Sequence, residues 1–294
     1  TNTLIDMSPY KHGGPGGEGP PDWVHTAPVA DVYRGPYKKA DPLAGKKYAN
    51  HVKKIIQNLA ADNKKPAGFM AESYPSVGGQ IIFPSAYLAG VYDHVRAAGG
   101  ICIADEVQTG YGRIGSHFYA FLAQSVVPDI VILGKPIGNG HPIAALVTTK
   151  EIAQSFVTGM EFFSTFGGNT VSCAIGQKVL EITLAQNLQE NAQKVGAHLL
   201  ERLHSLKKRY KIVGDVRGSG LFIGMELVRD HNTLEPADQE AAFVVNRMRD
   251  KGILMGTDGP LHNVVKIRPP LVITKQDADF IADTMEEIFA QDFA

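Results

Sequence analysis

Short apolar runs that favour strands alternate along this chain with segments of helical period, and three of the runs finish on an ionisable residue. AGFMAE ends at Glu72, ICIADEV carries Asp105 and Glu106 side by side, and PDIVILGK ends at Lys135. Between them, residues 43–61 place Tyr48, Val52, Ile55, Ile56 and Leu59 at helical spacing, and SAYLAGVYDHVRAAGG reads as a helix stopped by Gly99 and Gly100. AALVTTK supplies a fourth strand. Strands alternating with helices imply an α/β fold with a mostly parallel sheet flanked by helices. In such sheets, ligands sit in the crevice beyond the carboxyl ends of the strands.

The remainder changes character. Helical periodicity runs over residues 171–210 with a break near Asn187, and GDVRGSGLFIGMELV is strand and turn material. A helix at 237–251, a strand at 264–267 and a closing helix at 275–290 complete an α+β lobe. The expected division is a large domain over 1–186 and a C-terminal small domain over 187–294. The glycine-rich stretch at 12–21 runs into prolines, so it reads as irregular surface rather than a phosphate-cradling loop.

Composition narrows the function. With 294 residues and 44% hydrophobic content the chain can bury a large core. A net charge of −1 and a single short basic run, Lys207-Lys208-Arg209, argue against nucleic acid and membrane surfaces as partners. Two cysteines, Cys102 and Cys173, suit a reducing compartment, and a cytoplasmic location is the expectation. The histidines lack H-E-x-x-H or paired-cysteine spacing, so no metal is expected. The opening TNTLIDMSPY has the style of mid-domain sequence, as in a piece of a longer protein.

Chemistry gathers at the strand ends. An acidic pair closing a strand is more often a solvated end than a site, and an isolated lysine there is more often a surface residue. Together they suit one cofactor. A lysine amine forms Schiff bases, and an aspartate pairs with a heterocyclic nitrogen cation. Pyridoxal phosphate (PLP) needs both. Strand alternation would send Glu106 to the face opposite Asp105. A Schiff-base aldolase would use Lys135 but leave Asp105 unexplained.

DEVQTGYGR, GKPIGNGHP with Lys135 thirty positions after Asp105, and FSTFGGNTVSCA resemble the class III, fold type I PLP-dependent aminotransferases over the whole chain. YRGPYKKAD, AESYPSVGGQIIFP and GLFIGMELVRDH resemble the branch of ethanolamine-phosphate and 5-phosphohydroxylysine phospho-lyases, formerly called alanine–glyoxylate aminotransferase 2-like. The resemblance implies a homodimer with shared active sites. In it, Lys135 is the Schiff-base lysine and Asp105 the partner of the pyridine nitrogen. Gln108 lies near the ring hydroxyl, Thr165 reaches the phosphate of the neighbouring subunit's cofactor, and Glu72 helps to position Asp105. Plainer roles are open for three of these: Gln108 and Thr165 as partners of loop backbone, Glu72 as a strand cap.

Two departures from the family pattern bear on the substrate. Where transaminases carry a carboxylate-gripping arginine, KIRPP has Lys266, with Arg268 two places on. Val77 stands where some members place a glutamate that neutralises that arginine. A lysine cannot reproduce arginine's bidentate fork but serves as a point-charge phosphate partner. Lys266 and Arg268 are therefore the expected substrate-binding residues. The departures lean toward a phospho-lyase acting on a phosphorylated amine. An ω-type transaminase using pyruvate or glyoxylate is the alternative, and a non-catalytic module that does not retain cofactor is the second. The family's N-terminal Gly-Ser/Thr phosphate loop and ring-stacking aromatic have no counterpart here, so the chain resembles the C-terminal two-thirds of such an enzyme.

Overall fold

The computed structural model describes residues 2–293. The chain forms two compact units, one built from residues up to Ala67 with Phe83–Gly100, the other from Gly68–Ile82 with Ile101 onward. The first unit holds α1 (Asn2–Met7), α2 (Pro9–His12), α3 (Ala44–Ala61) and α4 (Tyr87–Ala97). Helices α3 and α4 pack together, and the faces that their periodicity predicts are buried, Tyr48 and Val52 on α3 and Leu88, Val91 and Val95 on α4. The Tyr48 hydroxyl donates to the Asp31 carbonyl at 2.6 Å, so the buried phenol is satisfied.

The second unit contains two sheets. The first comprises β1 (Gly68–Glu72), β2 (Ile101–Asp105), β3 (Ile130–Leu133) and β4 (Ala145–Thr148), in that order. The first three strands run parallel and β4 runs antiparallel to β3. A mostly parallel α/β sheet is thus present, but β4 returns by a short connection rather than a helical crossover. Helix α5 (Lys150–Ser155) follows it, then α6 (Thr170–Ala185) and α7 (Leu188–Arg209), which bracket the expected break at Asn187. The expected domain boundary at 186/187 falls in this turn, inside the second unit.

The second sheet is antiparallel, in the order β5 (Val213–Ser219), β6 (Phe222–Leu227), β8 (Val264–Ile267) and β7 (Gly256–Asp258). Every residue of β6 is buried. Helices α7, α8 (Asp238–Asp250) and α9 (Lys275–Asp292) enclose one continuous apolar core that includes Leu199, Leu203, Met225, Leu227, Met248, Met285 and Phe289. The three-residue β7 escaped sequence reading because Gly-Thr-Asp carries no apolar alternation.

The β5–β6 turn grips the segment that follows β2. Ser219 Oγ donates to the Ile114 carbonyl at 2.8 Å and Leu221 N–H to the Arg113 carbonyl at 3.0 Å. Gly220 adopts φ +55°, and a Cβ there would lie 2.4 Å from the Ile114 carbonyl carbon. Only glycine suits both conditions. Gly220→Ala is therefore expected to destabilise the full-length protein by at least about 2 kcal/mol, measured as a lowered midpoint in urea denaturation.

Candidate active site

Strands β1 and β2 pair in register so that Glu72 stands opposite Asp105 at the shared carboxyl end. Strand β3 stops at Leu133, and Lys135 lies two residues further on, not at the strand end itself. It opens a 3₁₀ turn, Lys135–Gly138, with φ +39°. A residue with a side chain holds that left-handed conformation only where its surroundings impose it. Here Ile137 is buried with Leu133 and Tyr111 against Val179 and Leu180 of α6, and Gly134 packs closely on Val107. The Lys135 side chain is left exposed.

The two adjacent acids separate as strand alternation requires, but their burial is the reverse of the simplest reading. Glu106 is the fully buried one, 1% exposed. Its Oε1 accepts from Ser73 Oγ at 2.5 Å and Phe121 N–H at 2.9 Å, and its Oε2 from Thr109 Oγ1 at 2.8 Å and Ala120 N–H at 3.0 Å. Burial pushes this carboxyl up, and the four donors pull it back. Asp105 is half-buried. Its Oδ1 accepts from Val107 N–H at 2.8 Å. Burial also raises its pKa, against the pull of that bond and of the Lys135 charge. Glu72 accepts from Ser76 N–H at 3.0 Å and is pushed up to about 7, by burial first, with Asp105 and Asp258 adding to the effect.

A cavity of about 570 Å³ opens beside Lys135, lined among others by Val107, Gln108, Arg113, His141 and Arg268. The structure thus brings Lys135, Gln108 and Arg268 to one cavity, with Asp105 and Glu72 within electrostatic range of Lys135. Thr165 is not among the lining residues. It sits on an exposed segment where Phe162, Phe163 and Phe166 are each about three-quarters exposed or more.

Lys266 is already engaged. Its Nζ lies 2.9 Å from Asp258 Oδ1, and Gln80 Nε2 donates to Asp258 Oδ2 at 2.8 Å. The backbone at Val77 adjoins this group, since its carbonyl accepts from Gly259 N–H at 3.0 Å. The carboxylate facing Lys266 thus comes from β7 rather than from the loop after β1. Arg268 is in the opposite state. Among the described residues it makes no ion pair, and its Nε is buried without a partner. Burial lowers its pKa, with Asp258 and Glu72 acting against that.

Sequence reading did not single out Arg113, His141, Asp258 or Gln80. Arg113 and His141 lie inside the quoted motifs, but nothing in residue order marks which loop side chains turn into a cavity. His141 Nε2 contacts Ser172 Oγ at 2.8 Å, and Asn169 caps the same helix, α6.

Residues 19–289 match the family described as Aminotransferase class-III. The chain belongs to this family. It is 48% identical over 282 residues to the "Alanine--glyoxylate aminotransferase 2-like" protein of Drosophila melanogaster, covering 94% of this chain and 57% of that one. It is 41% identical over 287 residues to "Ethanolamine-phosphate phospho-lyase homolog 1" of Caenorhabditis elegans, covering 94% of this chain and 62% of the relative. The chain therefore spans about three-fifths of the length of these relatives. A phospholyase from Arthrobacter in complex with phosphoethanolamine superposes with a TM-score of 0.91 at 35% identity, covering 99% of this chain and 68% of that one. An amine transaminase from an uncultivated Pseudomonas species, in its PLP-bound form, gives 0.87 at 31% identity, covering 98% and 66%.

PLP is the cofactor of class III aminotransferases, and the residues here fit it. Asp105 is a carboxylate whose burial is not matched by a bonded cation, so a protonated ring nitrogen placed against it would lower its cost of ionisation.

The raised value of Glu72 has a testable consequence. An acid that titrates higher in the folded state than its ordinary 4.5 binds more protons there, so its contribution to stability is lost as pH rises toward about 7. Glu72→Gln removes that titration. Urea denaturation across this window is expected to show a shallower loss of stability in the variant, by on the order of 3 kcal/mol in total.

Proposed function

We propose that the intact protein is a PLP-dependent phospho-lyase that eliminates phosphate and ammonia from a phosphorylated primary amine. The observation that carries this reading is the unequal compensation of two cations. Lys266 is neutralised by Asp258, whereas Arg268 stands in the Lys135 cavity without an ion pair. A site with its lysine spent and one arginine open suits an anion at the far end of an amine. The phospho-lyase name of a relative and the phosphoethanolamine in a similar structure support it. The transaminase names among the other matches make amino transfer to pyruvate or glyoxylate the competing outcome.

When bound, PLP supplies an electron sink for charge left on the carbon beside the amine. The chain's own residues do the rest. Lys135 Nζ, exposed at the cavity, anchors the cofactor and moves the proton from that carbon. Asp105 holds the positive charge on the ring nitrogen, and Glu72 orients Asp105. Gln108 orients the ring hydroxyl, and Arg268 binds the substrate phosphate. Thr165 reaches the cofactor phosphate of a second subunit, and the exposed phenylalanines beside it suit a covered dimer face. One water is consumed, and an aldehyde, ammonia and inorganic phosphate leave. In this reading, residues 1–186 belong to the cofactor domain and 187–294 to the small domain, the protein works in the cytoplasm, and turnover belongs to the full-length protein.

Incubating full-length protein with phosphoethanolamine is expected to release phosphate and ammonia in equal amounts. Amino transfer to pyruvate or glyoxylate, with no phosphate released from any phosphoamine, would assign the transaminase instead. Lys135→Ala is expected to abolish the borohydride-reducible cofactor link and to lower turnover by at least about 10²–10⁴-fold. Asp105→Asn should bind cofactor yet lose more activity than Glu106→Gln, which should chiefly lower stability.

A further inference from the structure

Arg113 has no role in the scheme above, yet it lines the same cavity as Lys135 and Arg268. Its Nη1 donates to the carbonyl of Pro269, the residue after Arg268, at 2.5 Å, and weakly to that of Leu221 at 3.4 Å. Among the described residues its Nε and Nη2 make no hydrogen bond, and it forms no ion pair. Its pKa is lowered to about 10, by burial first and then by the charge of Arg268, so it remains a cation at neutral pH. Two guanidiniums thus share one cavity wall. The acids within range of Arg268 compensate it only in part: Asp258 is bonded to Lys266 and Gln80, and Glu72 is half neutral near pH 7. Keeping like charges together away from bulk water is costly unless an anion joins them.

We propose that Arg113 and Arg268 together form a subsite for a phosphomonoester dianion, Arg113 supplying the second charge and also fixing Arg268 through the Pro269 carbonyl. This rests on the reading of the Lys135 cavity as the substrate site. A carboxylate brings one negative charge, whereas a phosphomonoester near neutral pH brings close to two and three acceptor oxygens. Two forks converging from different segments match the larger anion. Arg113 would therefore strengthen the hold of Arg268 on the phosphate.

The test uses full-length holoenzyme with inorganic phosphate and acetate as probes. Arg113→Gln and Arg268→Gln are each expected to raise the calorimetric Kd of phosphate about tenfold, while the cofactor absorbance band is kept. The double variant should lose less than the two single losses combined, because both groups hold one ion. Arg113→Lys, which keeps the charge but not the fork, should show a smaller rise. In unmodified protein, phosphate but not acetate should slow phenylglyoxal modification of Arg113 and Arg268, read by mass spectrometry. A phosphate Kd unchanged in both Arg113 variants, or no protection of Arg113, overturns the subsite. Neither result touches the cofactor assignment, which falls separately if Lys135→Ala retains turnover.

Discussion

A carboxylate sealed from water at the end of a strand must find hydrogen-bond donors, and at Glu106 the rest of the site is built around that demand. Its four donors come from the residue after β1, from the loop just after β2 and from the start of the 3₁₀ helix Ala120–Gln124. Closing them around one side chain folds the intervening loop into place. That loop carries Val107 and Gln108 at one end and Arg113 at its middle, where the β5–β6 turn holds it from the other side. A buried carboxyl group with four donors is stiff, because losing one leaves a buried polar atom unsatisfied. The acid that organises this loop is thus not Asp105, the one within electrostatic range of Lys135.

The cavity itself is arranged by unequal compensation of charge. Lys266 and Gln80 both bond to the Asp258 carboxylate. Arg217 donates from Nε and Nη2 to the Gly79 carbonyl at 3.0 and 2.6 Å while pairing with the buried Glu226 at 2.8 Å. These contacts lock the loop after β1 onto the small antiparallel sheet. Uncompensated charge gathers at the cavity. Arg113 and Arg268 line it beside the exposed Lys135, with Asp105 and a half-neutral Glu72 within electrostatic range of that lysine. The positive groups gain energy from an anion, and the Asp105 carboxylate from a cationic ring nitrogen.

Much of this was legible in residue order. The spacing of strands and helices, the 3.6-residue periods of α3, α7 and α9, and the placement of Glu72 and Asp105 at strand ends all follow from local patterning. The motifs around Asp105 and Lys135 were sufficient to indicate the family. Other features were not legible, for definite reasons. A dipeptide of two acids does not reveal which one is buried, because that depends on donors from positions 73, 109, 120 and 121. The antiparallel turn of β4 and the three-residue β7 carry no distinctive period. Lys266 reads as an available cation until β7 places Asp258 beside it.

Residue order alone specifies the alternation that makes an α/β sheet, the two chemical groups a PLP site requires, and membership of a family that uses them. Those are properties of local pattern and residue type, and each is written within a few neighbouring positions. Only the tertiary structure decided which charges are spent and which are open: Glu106 and Lys266 bonded, Arg113 and Arg268 left facing a cavity. Compensation is a long-range property. The partner of Arg113 lies 156 positions away at Pro269 and that of Gln80 lies 178 positions away at Asp258, so no local pattern can announce them.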